Sequence, residues 1–140
     1  MKRCRWMFAL TLTLLPLLAT AQLASTQRIG TQVPFEFMVA NKVVPAGTFI
    51  VQATNIDRML SLSNRERKVN MFLAASPDES RTPAADYALV FHRYGNQYFL
   101  RGMKLKGSRT IYWFAQGKAE IELLARNLPA TEEILLASLQ

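Results

Sequence analysis

A single histidine, His92, and a single cysteine, Cys4, bound the chemistry open to this chain of 140 residues. Acyl transfer by a serine needs an imidazole beside the hydroxyl and an acid to orient it. His92 stands in Val90-Phe91-His92-Arg93-Tyr94 with no acid among its immediate neighbours, and neither a Gly-x-Ser-x-Gly elbow nor a Ser-x-x-Lys pair occurs. A lone imidazole also lacks the co-ligands of a metal site, so His92 reads as a half-exposed strand residue among aromatics. Glycoside hydrolysis needs two carboxyl groups set a fixed distance apart, and no motif brings together Glu36, Asp57, Asp78, Glu79 or Asp86. Asp78-Glu79 falls short of the six or more oxygens that calcium takes and reads as a solvated loop. With no phosphate-cradling glycine loop and no zinc signature, the sequence assigns no catalytic, cofactor-binding or metal-binding residue.

Binding is the chemistry that remains, and its best candidates stand on one hairpin. Residues 87–94 and 97–101 are aromatic and β-branched runs flanking Gly95-Asn96, the pattern of two strands around a two-residue turn. That turn pairs Tyr94 with Gln97, His92 with Phe99 and Phe91 with Leu100. Tyr87, Leu89, Phe91, Tyr98 and Leu100 then share the more continuously apolar face, which is expected to be core. Val90, His92, Tyr94, Gln97, Phe99, Arg101 and Met103 share the other. Within it His92, Tyr94, Phe99 and Arg101 form the candidate binding face, suited to a sugar, an aromatic ligand or a partner sheet unless a C-terminal helix packs over it.

The elements that hold this hairpin are mostly strands. Val33, Phe35, Phe37 and Val39 alternate with other residues, and Pro34 points to a sheet edge. Turn residues at Asn41-Lys42 and Pro45-Ala46-Gly47 separate this run from Val43-Val44 and from the alternation Phe49, Val51, Ala53. Residues 58–63 and 68–75 read as two strands around the charged tip Asn64-Arg65-Glu66-Arg67, kept soluble by its charge, and residues 77–84 as a loop. Residues 111–114 make a further strand. Ile121, Leu124, Ala125 and Leu128 then fall at helical spacing, with Lys118, Glu120, Glu122 and Arg126 mostly opposite, and Thr131 is placed to cap a second helix. The fold class is mainly β: an antiparallel β-sandwich or small barrel of about seven or eight short strands with a C-terminal helix. Most of the strands are shorter than a membrane barrel requires, so that architecture is not expected.

The N-terminus carries an address. Lys2, Arg3 and Arg5 precede an apolar run from Trp6 to Ala19, and Ala19-Thr20-Ala21 offers small residues where a signal peptidase needs them. The run is shorter than the roughly 20 residues that span a bilayer, so the expectation is cleavage after Ala21, an exported periplasmic or extracellular product, and no membrane span after cleavage. The mature chain then has no cysteine, which excludes disulfides and zinc-thiolate sites. The domain plan is residues 1–21 signal peptide, 22–32 polar leader, 33–126 a β-domain with a closing helix, and 127–140 a C-terminal helical tail. Three of the cations behind the formal charge of +7 leave with the signal. The rest are scattered, a pattern of solubility more than of nucleic-acid binding.

Four phrases stand in order along residues 33–124: Val33-Pro34-Phe35-Glu36-Phe37, Val44-Pro45-Ala46-Gly47-Thr48-Phe49, Val90 to Gly95 with Gln97-Tyr98-Phe99-Leu100, and Lys118-Ala119-Glu120. In these the chain resembles a group of small exported proteins of environmental bacteria that have no assigned function. The resemblance implies a shared β fold and export, and transfers no catalytic residue. Two functions are therefore carried forward. One is a non-enzymatic envelope or extracellular domain for binding or assembly, with an envelope polymer or another protein as partner and no cofactor. The alternative is a carboxylate-dependent hydrolase or lyase acting on envelope glycans.

Overall fold

The computed structural model describes residues 27–139. The expected signal peptide and its cleavage position lie outside the described residues. In chain order the elements are β1 (Arg28–Val33), β2 (Phe37–Val39), β3 (Lys42–Val44), β4 (Gly47–Ala53), β5 (Met59–Asn64), β6 (Val69–Glu79), β7 (Tyr87–Tyr94), β8 (Gln97–Lys104), β9 (Thr110–Phe114), α1 (Lys118–Ala125) and β10 (Thr131–Leu139). Eight of the strands close on themselves in the order β8, β7, β10, β1, β4, β5, β6, β9 and back to β8, every neighbour antiparallel. Between sandwich and barrel, the fold is the barrel. β2 and β3 add a short hairpin outside the ring, turned by Ala40 and Asn41 at φ 49° and 63°. β2 meets β8 in parallel at Met38 and Phe99. Among the described residues no helix is long and apolar enough to cross a membrane.

Both ends of the described chain differ from expectation. Residues 28–32, read as polar leader, belong to β1, which runs on to Val33, because Ile29, Thr31 and Val33 alternate inward and are buried. The tail read as a helix is β10, which pairs with β7 from Thr131 to Ala137 and reaches β1 at Ser138 and Leu139. The hydroxyl of Thr31 donates to the carbonyl of Leu136 at 2.9 Å and carries that second seam further. Helix propensity yields here because a barrel left open would expose the hydrogen-bonding edges of both β1 and β7.

Each strand places alternate side chains inside. Phe37, Phe49, Phe91, Ile29, Leu62, Leu89 and Leu100 are almost wholly buried, each contributing about 1.5–3 kcal/mol through removal from water. The Phe37 ring meets Phe49 and Phe91 edge to face, with centroids 5.2 and 5.3 Å apart, the arrangement the ring quadrupole prefers.

The β7–β8 hairpin begins in the expected register, with Tyr94 opposite Gln97, His92 opposite Phe99 and Phe91 opposite Leu100. A bulge then shifts the ladder so that Val90 faces Gly102 and Leu89 faces Met103. Met103, expected on the outer face, consequently turns into the core. Strand β6 also runs past its expected end, through Pro77 to Glu79. Its first part pairs with β5 and its second, from Ala75, with β9 alone. Pro77 therefore lies where one edge of the strand has no neighbour to supply with an N–H.

Candidate functional site

The structure brings His92, Tyr94, Phe99 and Arg101 together on the outer face of the β7–β8 hairpin, and then covers them. Tyr94 and Phe99 are each 3% exposed. The cover is α1, which enters with Glu120 pointing inward, 1% exposed. Oε1 of Glu120 accepts a hydrogen bond from the Tyr94 hydroxyl at 3.1 Å and lies 3.4 Å from His92 Nδ1 and 3.5 Å from Arg101 Nε. Arg101 also donates through Nη1 to the Phe114 carbonyl. Burial pushes the Tyr94 phenol up to about 12, aided by the negative charge of Glu120 and the hydrogen bond to it, with Arg101 pulling the other way. The face expected to be available for binding is thus an internal polar contact between helix and sheet.

The helix sits the opposite way round from its apolar stripe. Ile121 and Leu124, expected against the sheet, are 51% and 40% exposed, whereas Glu120, expected outside, is buried. The reason lies beneath it: a surface holding a guanidinium, an imidazole and a phenol is desolvated at less cost by a carboxylate than by an isoleucine. The start of α1 is positioned by another element. Asn41, in the left-handed turn between β2 and β3, accepts the amide N–H of Lys118 through Oδ1 at 2.7 Å. A Cβ on Gly117 would come within 2.6 Å of that oxygen. Asn41 thereby satisfies one of the amides a helix leaves unpaired at its first turn. The void left beside Glu120 is about 10 Å³, at the lower limit of what one water needs. No ligand fits there.

Space for a ligand lies in the barrel. A cavity of about 610 Å³ opens where β5 starts and β6 leaves it for β9. Its inner wall is apolar: the half-buried Leu105 and Tyr112 face it, and the almost fully buried Ile29, Val51, Leu60, Ala75 and Met103 of the core lie directly behind. The rim is the β4–β5 loop, Thr54 to Arg58, with Gln27 and Pro77. Hydrogen bonds hold that loop in place: Thr54 donates to the Met59 carbonyl through its amide at 3.2 Å and its hydroxyl at 2.9 Å, and Ala75 N–H donates to the Arg58 carbonyl at 2.8 Å. Arg58 itself adopts φ 57°, a left-handed conformation uncommon for a long side chain.

Of the acids weighed for two-carboxylate chemistry, only Asp57 is among the residues lining this cavity. Among the described residues no three of His, Cys, Asp and Glu gather as a metal-binding group. The aromatic pair Phe35 and Tyr98 stacks at 3.7 Å, and Arg93 lies over the Tyr98 ring at 5.5 Å, so that ring is already engaged by the protein. The cavity was not foreseeable from any one motif, since its wall is contributed by strands from β1 to β9. The one local signal was the gap between the alternation that ends at Ala53 and the strand expected from residue 58. A scan against protein-family models finds no match to the chain, and searches of curated proteins and of solved structures likewise find none.

Proposed function

We propose that this chain is an exported, non-catalytic binding domain of the bacterial envelope or extracellular space, and that its ligand occupies the open end of the barrel. The basic start, apolar run and Ala19-Thr20-Ala21 support export. The cavity carries the binding reading. At about 610 Å³ it falls within the roughly 300–1,000 Å³ typical of small-molecule sites. An eight-stranded barrel is also the size at which the interior either fills with side chains or holds one small ligand. A carboxylate-dependent hydrolase is the weaker reading, because a pair of acids is required and, among the described residues, the cavity lining offers Asp57 alone.

Met59 and Met103 line the cavity, whereas Met38 and Met71 do not, which gives a direct test. With methyl-labelled methionine, a neutral probe such as decan-1-ol should move the Met59 and Met103 resonances saturably and leave those of Met38 and Met71 in place. Shifts that never saturate, or that spread equally over all four, would overturn the assignment.

A further inference from the structure

We infer that the barrel mouth takes a single-chain amphiphile with an anionic head, its chain along the apolar wall and its head at Arg58; this rests on the binding reading above. Among the described residues the inner wall carries no charged one, so the buried part of the ligand is apolar, and leaving a polar group unpaired there is costly. Two thioethers in the wall, Met59 and Met103, let it adapt to a flexible chain.

The head is decided at the rim, where the lining holds, among the described residues, one cation and one anion. Arg58 and Asp57 approach to 3.7 Å with side chains 69% and 94% exposed. A pair so open to water is weak, and a ligand carboxylate or phosphate displaces it at little cost, with the planar guanidinium able to engage two oxygens at once. Arg58 is also the better fixed of the two. Its carbonyl is tied to Ala75 on the cavity wall, and its backbone is held at φ 57°. Unusual backbone of this kind persists where surrounding contacts over-determine it, commonly at binding sites.

The test compares four compounds of equal chain length as monomers: dodecanoate, dodecyl phosphate, dodecan-1-ol and dodecyltrimethylammonium. Affinities are read from the Met59 and Met103 methyl shifts. Both anions should bind about 3- to 10-fold more tightly than the alcohol, the range for a partly exposed charged hydrogen bond, and the ammonium most weakly. The tighter of the two anions identifies a fatty carboxylate or a phosphorylated lipid as the source. Arg58→Gln should bring the anions down to the alcohol, and Asp57→Asn, which removes the competing carboxylate, should strengthen them. Equal binding of anion and alcohol, or a preference that survives Arg58→Gln, overturns the anionic head and leaves the mouth as the site. No saturable shift at Met59 and Met103 with any of the four overturns both.

Discussion

Tyr94 donates its hydroxyl to Oε1 of Glu120 across 3.1 Å, with the two residues only 3% and 1% exposed. The contact joins strand β7 to helix α1 and makes stability depend on pH in the alkaline range. The phenol is held at about 12 in the folded chain against 10.0 unperturbed, so the folded state keeps its proton after the unfolded state has lost it. The stabilisation is fully present below pH 10 and is lost as pH rises toward 12, to the extent of about 2 kcal/mol. Urea unfolding followed over this range should show that decline. Tyr94→Phe should flatten it, and an unchanged slope in the variant would place the titration elsewhere.

Glu120 is the acceptor on which the contact turns. Glu120→Ala leaves the Tyr94 hydroxyl without that acceptor and Arg101 buried beside no carboxylate. Removing one partner from a buried charged cluster costs about 3 kcal/mol. Glu122→Ala, two residues on and exposed, should remain within about 0.5 kcal/mol. Equal effects from the two substitutions would mean that α1 does not dock through Glu120.

Asn41 and Gly117 form a single contact across the molecule. Asn41→Gly keeps a residue at ease in the left-handed turn while deleting the side chain that receives the Lys118 amide. Gly117→Ala forces the same oxygen away. Each should lower stability by about 1 kcal/mol, the usual worth of a helix N-terminal cap. Because both break one hydrogen bond, the double variant should lose clearly less than the two losses added together. Full additivity in denaturant melts would show that the two residues act separately.

The hairpin was legible because strand alternation and a two-residue turn are local signals. The tail was not. Residues 134–137 read Ile-Leu-Leu-Ala, apolar on both faces, so no polar alternation marks a strand, and glutamate, leucine and alanine favour a helix. What decides the matter is remote: β1 and β7 each need a neighbour. In the resulting strand Leu135 packs against the core and Leu136 is 67% exposed. Leu135→Asp should therefore cost more than about 2 kcal/mol and Leu136→Asp less than about 0.5 kcal/mol. Equal costs would count against the strand. The orientation of α1 was hidden for a related reason. A helical stripe reports which residues are apolar, whereas docking was governed by the polar character of the sheet beneath. The cavity, assembled from residues 27 to 112, leaves no local signature beyond the gap between two strands at its rim.

The bulge in the β7–β8 hairpin lies just before Gly102, and that glycine gives the last test. After the shift Gly102 stands opposite Val90 on one side and Trp113 on the other. The indole of Trp113 lies over it so closely that a Cβ would approach Cε3 to 2.9 Å and the Tyr112 carbonyl to 3.0 Å. In the unshifted register Val90 would face Arg101 and Met103 would remain outside the core, so the packing of Trp113 on Gly102 and the burial of Met103 depend on the same extra residue. Gly102→Ala should cost about 1–3 kcal/mol by overpacking. Trp113→Leu, which removes the ring atom in the way, should recover part of that loss when combined with Gly102→Ala, a positive coupling in a double-mutant cycle. Met103→Ala should separately cost about 2–5 kcal/mol as a core truncation. If Gly102→Ala is harmless and Met103→Ala costs no more than a surface change, the ladder runs unshifted to its end, Met103 points outward, and the barrel mouth loses part of its wall.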